Sequence, residues 1–72
     1  MAISKIKIEP NQEYIELGNL LKISGFISTG GMAKSFLLEN DVLVDGEKEI
    51  RRGRKIYRGL KVKVNKFEIV VE

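Results

Sequence analysis

The stretch Leu17–Glu47, LGNLLKISGFISTGGMAKSFLLENDVLVDGE, decides the fold, because the hydrophobic period changes within it. Leu17, Leu20, Leu21 and Ser24 follow i, i+3, i+4, i+7 spacing, with Ile23 and Ile27 beside them, which predicts a helix over about 17–24. Gly25 stands where a helix C-terminal glycine is expected. The polar run Ser28-Thr29-Gly30-Gly31 opens a second helix, with Thr29 or Ser28 as its cap and Ala33, Phe36 and Leu37 as its apolar stripe. Asn40-Asp41 ends it. From Val42 the period is two, and Val42-Leu43-Val44 meets Asp45-Gly46, a favoured pair for a type I′ hairpin turn.

On the N-terminal side, Lys5-Ile6-Lys7-Ile8 alternates and predicts a short strand with one wet face, broken by Glu9-Pro10-Asn11-Gln12. On the C-terminal side, Lys48 to Ile56 continues as a return strand or a loop. Leu60 to Val64 alternates again, and Asn65-Lys66 turns the chain into Phe67–Val71. The order is strand, helix, helix, then three or four mostly antiparallel strands. The expected fold class is therefore α+β, with two helices packed on a small sheet and an extra N-terminal strand.

With 72 residues, one domain spanning 1–72 is expected. A chain of this size buries only about 60% of its unfolded surface, and without cysteines it has no disulfides to compensate for a thin core. No apolar run approaches the roughly 18 residues of a membrane span. The opening MAISKIKIEP lacks the continuous apolar stretch of a signal peptide, so a cytoplasmic protein is expected.

The side-chain inventory argues against catalysis. There is no His and no Cys, which removes the usual general base, the thiol nucleophile and nearly all zinc sites. Neither an enzyme nor a cofactor nor a small-molecule substrate is expected. Asp41, Asp45, Glu47 and Glu49 cluster around the hairpin and could hold a hard cation; solvated turn and strand surface is the preferred reading, and no metal is expected. STGGMAKS fails as a P-loop, because Ala33 precedes Lys34 and Ser28 occupies the earlier glycine position. Its two glycines either make a tight interhelical turn or leave N–H groups uncovered for an anion at the positive end of the helix dipole.

Charge is the stronger signal. Residues 1–47 carry four Lys against seven acids, a net of −3; residues 48–72 carry nine Lys and Arg against three acids, a net of +6. Within the second part, IRRGRKIYRG crowds Arg51, Arg52, Arg54, Lys55 and Arg58 together without an acid. A solvated edge needs one or two lysines, whereas arginines favour bidentate phosphate contacts and stacking on bases. A nucleic-acid partner is the preferred reading. Tyr57 offers either a stacking face or a core ring. Arg52-Gly53-Arg54 shares its core with an AT-hook but lacks the flanking prolines. A membrane surface is disfavoured, because Gly53 and Gly59 interrupt the segment and it has no amphipathic-helix pattern.

Taken in order, LGNLLKISGFISTGGMAKSFLLENDVLVDGEKEIRRGRKIYRGLKVKV resembles the RNA-binding domain named after ribosomal small-subunit protein S4, also called the αL motif. The likeness covers about 15–64. Thr29-Gly30-Gly31, Ala33-Lys34, Val44-Asp45-Gly46-Glu47 and Arg51-Arg52-Gly53-Arg54-Lys55 bring it nearest to small stand-alone bacterial proteins of the YaaA/YbcJ type. The resemblance implies RNA bound across the helices and the adjacent basic loop. Carried over by position, that surface comprises Lys22, Gly30, Gly31, Lys34, Arg51, Arg52, Arg54 and Lys55, to which the charge pattern adds Arg58 and Lys61. Where the family usually has Arg-Leu-Asp and Ser-Arg at its helix starts, this chain has Glu16-Leu17-Gly18 and Thr29-Gly30, which shifts the expected contacts toward the Arg51–Lys55 loop. The expected function is a non-catalytic module for structured RNA, rRNA or tRNA, associated with the ribosome. The alternatives are a DNA-binding accessory protein using the same surface and a protein-interaction module. Arg51, Arg52 and Arg54 are expected on the surface, so that changing all three to Ala leaves the fold intact.

Overall fold

The first helix, α1, spans Leu17–Ile23 in the computed structural model, which describes residues 3–72. It stops at Gly25, whose φ of 87° is one that a side chain would resist. The Gly25 N–H donates to the Lys22 carbonyl at 3.1 Å and the Phe26 N–H to the Leu21 carbonyl at 3.0 Å, the paired bonds of a Schellman motif. Leu17, Leu20 and Leu21 are buried as their spacing predicts, while Ile23 points outward and is 61% exposed. A turn of 3₁₀ helix, Gly30–Met32, then leads into α2, Ala33–Glu39. Here the expected cap is corrected: neither Ser28 nor Thr29 caps with its side chain. The Thr29 carbonyl instead accepts the Met32 N–H at 3.1 Å, and this tighter turn delays the start of α2 to Ala33. At the far end Asn40 closes the helix, its backbone N–H and its Nδ2 both donating to the Phe36 carbonyl at 3.0 Å.

The strands are β1 (Ile3–Ile6), β2 (Tyr14–Glu16), β3 (Val42–Val44), β4 (Glu47–Lys48), β5 (Lys55–Tyr57), β6 (Lys61–Val64) and β7 (Phe67–Val71). Five of them form one sheet in the order β1-β7-β6-β3-β4, antiparallel except for the parallel pair β1 and β7. The N-terminal strand thus exists, two residues earlier than its alternation predicts, and Ile8 stays buried beyond its end. Asp45 (φ 52°) and Gly46 (φ 86°) make the two-residue turn between β3 and β4, and the two positive φ values are those of type I′. The stretch 48–56 divides between both expected forms: β4 returns for two residues, 49–54 is a loop, and β5 leaves to pair antiparallel with β2 in a second, two-stranded sheet.

Alternation in β3, β6 and β7 sends Val42, Val44, Val62, Val64, Ile69 and Val71 to the face where Leu20, Leu21 and Leu37 of the helices lie. Burying each of these side chains contributes about 1.5–3 kcal/mol. Phe26 extends this core at one end, its ring 5.8 Å from those of both Phe36 and Phe67. The opposite face of the sheet carries Lys5, Lys48, Lys61, Lys63 and Glu68 into solvent. The small sheet buries only Ile15 and Ile56, which face each other across it, and turns Tyr14, Glu16, Lys55 and Tyr57 outward. No helix among the described residues is long and apolar enough to cross a membrane.

Candidate nucleic-acid interface

The loop Glu49–Arg54 is held by its backbone to the start of α1. Glu16 precedes α1 in extended conformation and offers no side-chain cap, which would leave the first N–H groups without partners. The loop supplies them: the Leu17 N–H donates to the Arg54 carbonyl at 2.9 Å and the Gly18 N–H to the Arg52 carbonyl at 2.8 Å. Gly18 lies at the centre of this contact, with room for a methyl and for little more. A Cβ at Gly18 would stand 3.4 Å from the Arg52 Cβ and carbonyl oxygen and 3.5 Å from the Ala33 Cβ. One glycine therefore joins the basic loop, the head of α1 and the first residue of α2.

Beneath the loop lies a carboxylate. Glu49 is only 6% exposed. Its Oε2 accepts the backbone N–H groups of Ile50 (3.1 Å) and Arg51 (3.2 Å) and the Arg51 Nε (3.1 Å). Its Oε1 accepts Arg51 Nη2 at 3.2 Å and Arg54 Nη1 at 2.9 Å. The Arg51 side-chain hydrogen bonds are the main cause that holds the carboxyl down to about 2 from 4.5. Burial opposes them, and Arg54 together with the Arg51 backbone adds to the lowering. The Arg51 guanidinium is pushed up in return, chiefly by its hydrogen bonds to Glu49.

This corrects the expectation for the arginines. Arg51 and Arg54 are not simply surface groups, because together they neutralise one buried charge. Replacing both with Ala leaves the carboxylate only its backbone partners, the N–H groups of Ile50 and Arg51, so the triple replacement with Arg52 is expected to lower stability as well as remove surface charge. Glu49 is equally not the solvated surface acid expected from the hairpin cluster. Asp41 pairs with Lys48 at 3.5 Å, and no group of three or more potential metal ligands gathers among the described residues.

The remaining expected site residues fall into two sets. Arg52 shares the loop with Arg51 and Arg54 and makes no ion pair among the described residues, and Lys55 follows at the first position of β5. Lys34 follows Ala33 in the first turn of α2, just after the exposed Gly30 and Gly31; of this group it is Ala33 that reaches Gly18 beside the loop. Neither Gly30 nor Gly31 has a positive φ, and a Cβ at Gly30 would meet nothing within 4 Å. Three residues lie elsewhere. Lys22 stands in the last turn of α1, the opposite end from the loop, where its charge complements the helix dipole.

Arg58 is a correction. Its Nη1 donates to the Gln12 carbonyl at 2.6 Å and its Nη2 to the carbonyls of Glu9 at 2.5 Å and Ile8 at 3.4 Å, which straps the 8–12 segment to the body. Lys61 is a second correction: β6 turns it to the sheet face away from the helices, 3.9 Å from Glu68. A run of charges in sequence carries no information about the side to which each one turns. Glu49 and Gly18 were missed by the sequence reading. Its place immediately ahead of IRRGR was the available signal for Glu49, and Gly18 inside a helix was the signal for close packing.

The structure is thus a short α+β domain whose arginine-rich loop caps its first helix through the backbone. The chain belongs to the S4 domain family, whose model matches residues 6–72. It is also 48% identical over 60 residues, 83% of this chain and 84% of the other, to a protein of Bacillus subtilis (strain 168) named as the probable ribosome maturation protein RlbA.

Proposed function

We propose that this chain is a non-catalytic, cytoplasmic RNA-binding module associated with the ribosome, holding structured ribosomal RNA by its phosphates. The observation that carries the reading is the docked loop: Arg51, Arg52 and Arg54 are presented from a backbone fixed to α1, and Lys55 follows them at the start of β5. Fixing the backbone reduces the ordering cost when phosphates arrive. Glu49 restrains two of the arginines without consuming all their donors, since a guanidinium has five N–H groups. Family membership and the name of the B. subtilis relative support an RNA of the ribosome over tRNA. Recognition would read shape and backbone, because the deep major groove of folded RNA hides its base edges.

The test is binding of structured ribosomal RNA fragments by the intact protein across a salt series, with duplex DNA as competitor. About five phosphate contacts give a slope of log affinity against log salt of roughly −4. Arg52→Ala, which leaves the Glu49 clamp intact, should weaken binding and make the slope about one unit shallower. A flat salt response, or preference for duplex DNA at equal salt, would overturn the proposal.

A further inference from the structure

Beside the docked loop is a cleft of about 510 Å³, lined by Arg51, Gly53, Arg54, Lys55, Tyr57 and Leu60. Its composition differs from that of a bare phosphate groove. Tyr57 is 45% exposed although its neighbour Ile56 is fully buried, because β5 alternates its side chains. The Tyr57 ring is fixed in place by Tyr14, its cross-strand partner, with centroids 5.7 Å apart and planes inclined at 56°. Tyr14 is in turn covered by the Lys55 ammonium, 5.0 Å from the ring centroid. Lys55 thus stands over one tyrosine while lining the cleft with the other. Glu16 lies across from Lys55 on the same face.

We infer that this cleft takes one unpaired nucleotide of the bound RNA, its base stacked on Tyr57 and its phosphates held by Arg54, Lys55 and Arg51. The volume is in the range that encloses a ligand of nucleotide size. A half-exposed ring braced from the side by a second tyrosine and rimmed by cations matches an aromatic base joined to an anionic backbone. Leu60 supplies an apolar wall. A helical region of RNA keeps its bases stacked on each other, so the site selects a bulge, loop or flipped base. The inference rests on the RNA-binding reading and adds a preference within it.

The experiment compares an RNA hairpin carrying a single extruded purine with the same hairpin lacking it. With the wild-type protein the extruded purine should improve affinity about tenfold, and Tyr57→Ala should remove that advantage while binding the plain hairpin as before. Tyr57→Phe keeps the ring and should keep the advantage, which separates stacking from loss of a hydroxyl. The chain has two tyrosines and no tryptophan, so Tyr14→Phe leaves Tyr57 as the reporting fluorophore. Its emission should be quenched by the extruded-purine hairpin and not by the plain one. If both hairpins bind the wild type equally and Tyr57→Ala changes neither, the stacking site is wrong while the RNA-binding reading stands. If the wild type binds neither hairpin, both fall.

Discussion

Glu49 shows how one residue can govern a surface it does not join. Its carboxylate lies under the loop and fixes the directions of Arg51 and Arg54 through side-chain bonds of 2.9–3.2 Å. Because its folded value is held down to about 2, below the 4.5 of an ordinary glutamate, the folded state binds its proton less readily than the unfolded one. Its stabilisation is therefore complete above about pH 5 and is lost as pH falls toward 2. With Arg51 lying in solvent, the contribution is about 1–2 kcal/mol. Denaturant titrations of the wild type and Glu49→Gln should show a constant stability gap above about pH 5 that closes on descending toward pH 2. A gap independent of pH in that window would mean that the carboxylate charge does not hold the loop. The partners of the clamp were within reach in the sequence, since Arg51 and Arg54 follow Glu49 closely, but its burial was not legible, because that depends on how the chain folds around it.

Among the elements, α1, α2 and the hairpin were readable because each carries a local device: the apolar stripe of Leu17, Leu20 and Leu21 with the glycine at 25, the stripe of Ala33, Phe36 and Leu37, and Asp45-Gly46. The small sheet of β2 and β5 was not readable, since three residues per strand are too few to show a period. Its existence depends on Ile15 meeting Ile56, a contact between distant segments. The junction of loop and helices has its own test at Gly18. Gly18→Ala places a methyl at ordinary contact distance and replaces a poor helix former, so stability should change by less than about 1 kcal/mol. Gly18→Leu has no room beside Arg52 and Ala33 and must lift the loop from the helix. The expected result is a fold that melts lower and an RNA affinity reduced at least as far as by Arg52→Ala. Undiminished affinity in a folded Gly18→Leu protein would show that the loop need not be docked in order to bind.

Across the whole molecule, the charge asymmetry singles out a basic segment in the sequence but says nothing of how the fold divides it. Arg51 to Lys55 gather near α1 and α2, Arg58 ties down the N-terminal segment, and Lys61 faces out from the far side of the sheet. Strand pairing made that division, and the order of pairing in time has a consequence of its own. β1 is hydrogen-bonded to β7, so Ile3 must wait for Glu68, while the helices and the hairpin join segments near each other in the chain. Closing so long a span is slow compared with local contacts. The arm formed by β1 and Ile8 should therefore dock after the rate-limiting step. Ile8→Ala, removing about 2 kcal/mol of burial, should leave the refolding rate nearly unchanged and speed unfolding about thirtyfold in stopped-flow measurements. A matching drop in refolding rate would place the arm in the nucleus instead. A nascent chain of this protein would then have its basic loop assembled on the helices before its first strand had found a partner.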